Sequence, residues 1–190
     1  MNYEGDRQLY IIMDQGGHAS RAVIMDQLGQ TIARAERPLK TFRPREGFVE
    51  HDPGELVQTI RQSLEGVLQK AGAKGSMVQA AGFATQRSSI ACWDSETGEA
   101  FSPIISWQDT RAGDQVAGMA GWAEEVHTRT GLFLSAHYGA SKLRWCMDHL
   151  PAVTGARDQR RLLWGPLAAS VLWSVIFTLI ALSRFENSEF

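Results

Sequence analysis

Residues 9–26 read LYIIMDQGGHASRAVIMD, and this stretch decides how the chain begins to fold. Residues 9–13 form a short apolar run bounded by turn residues, which favours a buried strand over a helix. Residues 22–25 form a second short apolar run, so the two strands make a hairpin with a glycine-containing turn. Because glycine has no Cβ and accepts positive φ, Gly16 and Gly17 allow the hairpin tip to approach another molecule closely.

Asp14 stands at the end of the first strand, beside the bare backbone of this turn. A carboxylate there can face a cation or its water shell, while backbone N–H groups face phosphate oxygens. The alternative is an ordinary hairpin in which Asp14 and the glycines only shape the turn. The hairpin taken alone favours that alternative, so the assignment depends on the rest of the chain.

The composition is that of an ordinary globular protein. The chain has 190 residues, with 44% hydrophobic and 21% charged residues, which is enough for one domain or for part of a larger enzyme. A formal charge of −2 gives no electrostatic reason to expect a nucleic acid partner. Cys92 and Cys146 are far apart and fit no metal spacing, so we expect reduced, buried thiols in a cytoplasmic protein. The polar, acidic N-terminus does not resemble a secretory signal.

The next elements continue an α/β pattern. Residues 31–36 are expected to form a third antiparallel strand. Asp52 is a good N-cap for a helix that starts at Pro53, carries an apolar face and stops at Gly72. Residues 77–85 are small and apolar, which predicts a buried strand that crosses back into the same sheet.

Two polar groups stand beside these elements. The sequence Gln86-Arg87-Ser88 follows the strand at 77–85, at the end where open α/β sheets place their ligands. Glu50 and His51 precede the helix, and a structural and a functional role are equally compatible with their position.

The second half of the chain has weaker patterns. Residues 89–93 and 103–107 are expected to be short strands, and 111–130 is expected to form short helices because glycines interrupt it. A further helix is predicted over 140–150. Residues 162–183 lack charge and are long enough to span a bilayer, but Gly165-Pro166 and several hydroxyl residues favour a core helix and a strand instead. A membrane anchor with the domain in the cytoplasm is the less favoured alternative.

Taken together, these segments resemble the N-terminal half of the FGGY carbohydrate kinases, the family that includes glycerol kinase. The stretches that carry the resemblance are MDQGGHASRAVIMD at 13–26, GFVEHDP at 47–53, ATQRSS at 84–89, WDSETGE at 93–99, ISWQDTRA at 105–112 and GLFLSAHYGASKLRW at 131–145. Their order is far more specific than any single one of them. The similarity extends to RLLWGPLAASVLW at 161–173, which looks like the family's next core helix. It therefore places a kinase N-terminal domain at 8–173 and leaves 174–190 as an atypical apolar tail.

The resemblance implies an α/β fold of the actin-like, ribonuclease-H-like type, with a mixed five-stranded sheet flanked by helices and incomplete at its C-terminus. It also implies ATP and Mg²⁺ as cofactors and a small-molecule sugar or polyol as substrate. Asp14 would help to hold the metal, and the nucleotide phosphates would lie near the turn and the arginine that follows it (Gly16, Gly17, His18 and Arg21). The substrate would be held by residues of three later motifs: Arg87, Ser88, Trp107 and His137.

Three departures from glycerol kinase concern the site. That enzyme has two threonines where this chain has Gly17 and His18, a substrate-gripping glutamate where it has Ser88, and a tyrosine where it has His137. Losing a carboxylate acceptor weakens a polyol site that is built on paired hydrogen bonds. We therefore expect a polyol or sugar other than glycerol.

Family members continue into a second domain that supplies the adenine pocket and the aspartate acting as general base. No catalytic residue is therefore assigned in this chain, and we expect an N-terminal fragment with little turnover alone, whose residues 174–190 could be a frameshift product. The competing hypotheses are a non-catalytic remnant that binds a sugar or a partner, and a membrane-tethered domain. An incomplete sheet would leave an open strand edge, so homo-oligomerisation is a further expectation.

Overall fold

The computed structural model describes residues 8–166, apart from the side chains of Ala73, Ser76 and Pro166. Two compact units divide these residues, and the chain crosses from one to the other more than once. Unit 1 contains 8–40 and 54–86, and unit 2 contains 41–53 and 87–166. The tail at 174–190, and most of the apolar stretch at 162–183, lie outside the described residues.

Unit 1 is a mixed four-stranded sheet with one helix. The antiparallel strands β1 (Leu9–Gln15), β2 (Ala19–Asp26) and β3 (Thr31–Pro38) form its first three members. Strand β5 (Val78–Thr85) runs parallel to β1, which completes the order β3-β2-β1-β5. These strands confirm the hairpin, the third strand and the crossover that the sequence predicts.

The alternation of burial along β1 and β2 explains why this sheet needs a helix. Leu9, Ile11 and Met13 are buried, while the residues between them are half-buried or exposed. Helix α1 (Pro53–Ala71) buries Leu56, Ile60, Leu64 and Val67, a spacing that places them on one face. Val57, which the apolar pattern suggests for that face, is 43% exposed.

Helix α1 contacts the sheet through small and hydroxyl residues. A Cβ on Gly66 would lie 3.2 Å from the Cβ of Ala35 on β3, so glycine permits this close approach. Ser63 on the same helix donates to the main-chain oxygen of Ser20 on β2 at 2.9 Å. The helix is thus seated beside the strand that follows the glycine turn.

Strand β5 differs from its prediction in one respect. The sequence predicts a buried strand, but none of its eight residues is buried. Among the described strands its one neighbour in the sheet is β1, so β5 stands at the edge of the sheet formed by the described residues.

Unit 2 contains a small antiparallel sheet with the order β4-β7-β6-β8 and four helices. The strands are β4 (Glu50–His51), β6 (Ile90–Asp94), β7 (Ile104–Ile105) and β8 (Leu162–Pro166). The helices are α2 (Gly113–Ala117), α3 (Ala123–Thr130), α4 (Gly139–His149) and α5 (Pro151–Asp158). Short 3₁₀ helices occupy Gly72–Met77 in unit 1 and Ala120–Trp122 in unit 2.

The core of unit 2 is formed by strands β6 and β7 and helices α4 and α5. Its buried members are Ile90, Cys92, Ile105, Leu143, Cys146 and Val153. Helix α4 begins very close to β6, because a Cβ on Gly139 would lie 2.7 Å from Cγ2 of Ile90. Both cysteines are free and buried, as the sequence predicts.

The helix that the sequence suggests at 161–173 is not observed over its first residues. The pattern at 161–173 suggests a core helix, but Leu162–Pro166 forms β8, with Cys92 opposite Trp164. Gly165 and Pro166 disfavour a helix here, and pairing satisfies the backbone of β6 on its second side. Within residues 8–166, no helix is long and apolar enough to cross a membrane.

Candidate functional site: a glycine turn and a substrate half-site

The glycine turn of unit 1 comprises Gly16, Gly17 and His18, between β1 and β2. Neither glycine has positive φ, so the turn does not use the left-handed conformation that glycine permits. Gly16 instead meets a requirement for space, because a Cβ there would lie 3.3 Å from the Ala19 oxygen and 3.4 Å from Nη1 of Arg21. A Cβ on Gly17 would meet nothing within 4 Å.

Two glutamines fix the main chain of the turn. The Gly16 oxygen accepts hydrogen bonds from Nε2 of Gln15 at 2.8 Å and from Nε2 of Gln86 at 2.9 Å. The Gly16 N–H donates to the Ala19 oxygen at 3.0 Å. Gln86 belongs to the Gln-Arg motif, so the residue before Arg87 supports the glycine turn.

Buried hydroxyls lie behind the turn. Ser20 is 1% exposed, donates to Oε1 of Gln15 and lies 2.8 Å from the Thr59 hydroxyl of α1. This chain of polar contacts connects the turn to the helix. Satisfied buried networks of this kind rigidify the backbone that they hold.

Asp14 and Arg21 come together across the hairpin. They are directly opposite each other in the β1–β2 register, and Nη1 of Arg21 lies 3.1 Å from Oδ2 of Asp14. Arg21 also contacts Glu36 at 3.1 Å, and hydrogen bonds to both carboxylates raise the pKa of the guanidinium. The arginine is therefore held over the turn, while Asp14 keeps about half of its side-chain surface exposed (47%).

Asp14 is the single carboxylate at this turn that the sequence offers to a metal. No cluster of three or more metal-ligating side chains occurs in the part of the chain that the structure describes. Mg²⁺ that travels with a nucleotide needs only one or two carboxylates, since phosphates and water complete its shell. The half-exposed Asp14 carboxylate at the strand end fits such a role.

The other predicted site residues lie in unit 2. The Trp107 ring meets the His137 ring edge-on, with centroids 5.7 Å apart, and Tyr138 packs edge-on against His137 at 5.3 Å. The main-chain N–H of Trp107 donates to the Ser89 hydroxyl at 2.9 Å. Two loops that are distant in sequence are thereby joined beside the Gln-Arg motif.

Arg87 and Ser88 form the turn that precedes β6. The Arg87 side chain is exposed, whereas Ser88 is half-buried and has φ of 66°, a left-handed conformation that is rare for a residue with a Cβ. Strained backbone of this kind persists only where the surroundings hold it. Ser88 thus directly follows Arg87, the residue from which the sequence predicts a substrate contact.

An ion network underlies the Trp107 loop. Arg111 has 2% of its side chain exposed and reaches Asp109 at 2.7 Å and Glu50 at 2.6 Å. Burial lowers the pKa of Arg111, but the hydrogen bonds to Asp109 and Glu50 outweigh burial and raise it. Asp109 also accepts from the Val49 N–H at 2.6 Å. Glu50 is thus engaged in a structural ion pair, and His51 is buried in β4 at 1% exposure.

The sequence patterns predict no binding or structural role for Asp109, Arg111 or Lys142. Asp109 and Arg111 lie inside the motif at 105–112, but a motif does not show which members are buried. Lys142 is completely buried in α4. Its signal in the sequence is a charged residue beside Leu143, on the face that carries Cys146.

Comparison with known proteins shows which family has this architecture. The model of the N-terminal domain of the FGGY family of carbohydrate kinases matches residues 9–162. The chain belongs to this family, as the sequence resemblance predicts. Its described fold is accordingly that of the family's N-terminal, actin-like domain.

Individual relatives support the same assignment. Glycerol kinase from Symbiobacterium thermophilum is 31% identical over 181 residues, which are 94% of this chain and 36% of that enzyme. Glycerol kinase from Verminephrobacter eiseniae is 34% identical over 167 residues, 87% of this chain and 33% of that enzyme. The chain therefore spans about a third of the length of the relatives it matches.

Solved structures agree with the sequence comparison. A structure of Plasmodium falciparum glycerol kinase with ADP superposes with a TM-score of 0.75 at 20% identity, over 87% of this chain and 34% of that one. Xylulose kinase from Rhodospirillum rubrum gives a TM-score of 0.72 at 27% identity, over 78% and 31% of the two chains.

Proposed function

We propose that this chain supplies the phosphate-binding and substrate-binding residues of an ATP-dependent kinase that phosphorylates a hydroxyl group of a sugar or polyol. The observation that carries the proposal is the Asp14–Arg21 pair at 3.1 Å beside the glycine turn, in a chain that belongs to the FGGY carbohydrate kinases. A carboxylate and a guanidinium next to bare backbone suit a metal-bound polyphosphate. The corresponding domain spans 8–173 in this proposal.

In unit 1, the Asp14 carboxylate would hold Mg²⁺, and Arg21 would bind phosphate oxygens together with the backbone of residues 16–18. Bound Mg²⁺ neutralises phosphate charge during transfer. The contacts of Arg21 with Asp14 and Glu36 orient the guanidinium before any ligand arrives. Such preorganisation lowers the cost of binding, because the side chain has already lost its rotational freedom.

In unit 2, Arg87 would donate hydrogen bonds to substrate hydroxyls, and Trp107 with His137 would provide an aromatic wall. Ser88 offers a hydroxyl rather than a carboxylate, so a substrate that depends on a paired acceptor binds weakly. We therefore propose a sugar or a longer polyol as substrate in preference to glycerol. A cytoplasmic location, which the two free thiols support, belongs to the same proposal.

None of the residues assigned here is a general base for the substrate hydroxyl. Phosphoryl transfer depends on positioning and on charge stabilisation around the whole reacting group. The 190-residue chain alone is therefore proposed to bind ligands with little or no turnover.

The direct test is calorimetry on the purified chain with D-xylulose, D-gluconate, glycerol and Mg·ADP, alongside an assay of ATP-dependent ADP release. We expect saturable binding of at least one sugar or polyol, loss of that binding in Arg87→Ala, and background ADP release. Arg129→Ala is the matched control, because Arg129 is exposed at 76% and pairs only with Glu125 on its own helix in the described contacts. Absence of binding by every ligand would refute the proposal, and robust ADP release would refute the inactivity of the chain alone.

A second candidate is a sugar-binding protein without kinase activity. It is favoured by the fact that Arg87, Ser88, Trp107 and His137 all lie in unit 2. Sugar binding combined with no measurable affinity for Mg·ADP or Mg·ATP would select this candidate.

A further inference from the structure

Lys142 occupies an unusual position for a lysine. It lies in the second turn of α4, and none of its surface is exposed. Lysine is among the residues least often buried completely, because its ammonium loses its water shell. Burial accordingly lowers its pKa to about 8.

The ammonium group is directed at main-chain oxygens. Nζ of Lys142 donates to the Ser88 oxygen at 3.0 Å and makes a very short hydrogen bond to the His137 oxygen. Lys142 therefore ties the turn that carries Arg87 and Ser88 to the loop that carries His137. Both loops belong to unit 2.

The Ser88 acceptor is itself in a costly conformation. Its φ of 66° lies in the left-handed region, which residues with a Cβ seldom occupy. A left-handed residue redirects the chain sharply, so it determines where the Arg87 side chain leaves the backbone. The buried Lys142 ammonium binds the carbonyl of this same residue. The buried charge and the left-handed backbone therefore meet at Ser88.

Stability alone does not account for these features. Even a complete buried ion pair can often be replaced by apolar side chains without loss of stability, so burial of a charge is weak evidence for a stabilising role. Lys142 shares α4 with Leu143 and Cys146 of the unit 2 core, and the charges of Asp109 and Arg111 also act on its ammonium group. What methionine or leucine cannot do is hold two carbonyls from separate loops.

We propose that Lys142 is a positioning residue of the substrate half-site: it fixes the Ser88 and His137 main chains and thereby orients Arg87 and the His137 ring toward one ligand. The orientation of Arg87 and His137 toward a ligand rests on the proposed function. The fixing of the two loops by Lys142 does not. Lys142 itself touches no substrate in this proposal.

The experiment compares Lys142→Met with Leu143→Ala in the full 190-residue chain. Leu143 is the neighbouring core residue at 9% exposure, so its truncation weakens packing without removing either hydrogen bond. Two quantities are measured for each variant: backbone hydrogen exchange, and affinity for the sugar or polyol that binds the wild-type chain most tightly among D-xylulose, D-gluconate and glycerol.

We expect Lys142→Met to speed exchange at least tenfold in 86–90 and 135–139, and to weaken sugar binding at least tenfold. Leu143→Ala should leave affinity within twofold of wild type, with any faster exchange distributed over α4 and its core neighbours. A Lys142→Met chain that folds, retains its sugar affinity and shows no change confined to the two loops would overturn the proposal.

A second variant, Lys142→Gln, keeps the proposal testable if Lys142→Met does not fold. Lys142→Gln keeps a donor group but is one bond shorter, so it cannot reach both carbonyls, and we expect it to fold and weaken sugar binding at least fivefold. Wild-type affinity in Lys142→Gln would count against the proposal. If the wild-type chain binds no sugar, the proposed function fails, and the exchange pattern of the two loops alone then decides the role of Lys142.

Discussion

The rings of Trp107 and His137 meet edge-on with centroids 5.7 Å apart and planes inclined by 65°. One ring comes from the loop after β7 and the other from the loop before α4, so the contact joins two motifs. Edge-to-face packing of this kind adds to the energy of simple burial. It creates an aromatic surface, 42% exposed at Trp107, against which the apolar face of a sugar could rest.

Truncating this surface should weaken sugar binding. Trp107→Ala is expected to lower affinity about tenfold, consistent with about 0.5–1.5 kcal/mol for an aromatic contact beyond burial. Trp107→Phe should recover much of the loss, since it restores a ring opposite His137. Trp122→Ala, at a tryptophan that is 60% exposed in the 3₁₀ helix, is the control and should bind as wild type. Calorimetric titration measures all three, and equal losses in both alanine variants would contradict the assignment.

The two glycines of the turn should respond differently to alanine. A Cβ on Gly16 must displace the Ala19 oxygen, whereas a Cβ on Gly17 enters open space. We expect Gly16→Ala to lower the free energy of unfolding by about 1 kcal/mol and Gly17→Ala to change it by less than about 0.5 kcal/mol. Urea denaturation followed by circular dichroism measures both. The reverse order would show that the turn differs from the one described.

Replacing Arg111 should lower the free energy of unfolding strongly, because Arg111 is one partner of a buried ion pair. Arg111→Met leaves the Asp109 carboxylate, with 0% of its side chain exposed, buried without its cation. Removing one partner of a buried pair costs about 3–5 kcal/mol. The control is Arg129→Met, which breaks an exposed pair with Glu125 and should cost less than about 1 kcal/mol. Comparable midpoints of urea unfolding for the two variants would contradict this prediction.

Lys142 should give stability a distinctive pH dependence. Burial lowers its pKa in the folded chain to about 8, against about 10.4 when unfolded. Between these values the unfolded chain binds more protons, so stability rises with pH relative to a chain without this amine. The wild type should therefore gain about 2 kcal/mol over Lys142→Met between pH 8 and pH 10.4. Leu143→Met, which changes no ionisable group, should track the wild type, and a constant difference for Lys142→Met would refute the shift.

The two thiols should be inert in the folded state. The hydrogen bond between Cys92 and Cys146 lowers the pKa of the Cys92 thiol and, together with burial, raises the pKa of the Cys146 thiol. Because both thiols are 0% exposed, a reagent cannot reach either sulfur, and we expect reaction with an aromatic disulfide reagent at least about a hundredfold slower than for a free thiol. Both should react at once in concentrated urea. Rapid modification of one thiol in the native chain would show local opening of the core of unit 2.

Most elements were predictable because their signals are local. Apolar alternation identified β1, β2 and β3, and the Asp52-Pro53 start with the Gly72 stop identified α1. The ordered motifs identified the family, which the comparisons confirm. The exposure of β5 was not predictable, since small apolar residues look alike in a central strand and in an edge strand.

By itself, the sequence determined the family and most of the order of the elements, because short-range periodicity and motif order encode them; its phosphate-binding and substrate-binding residues stay predictions. Only the tertiary structure decided that Asp14 faces Arg21, that Arg111 is buried between Glu50 and Asp109, and that Lys142 holds Ser88 and His137. These contacts join residues far apart in the chain. Whether a charge at such a position is solvated or buried against a distant carbonyl depends on packing, which no local pattern records.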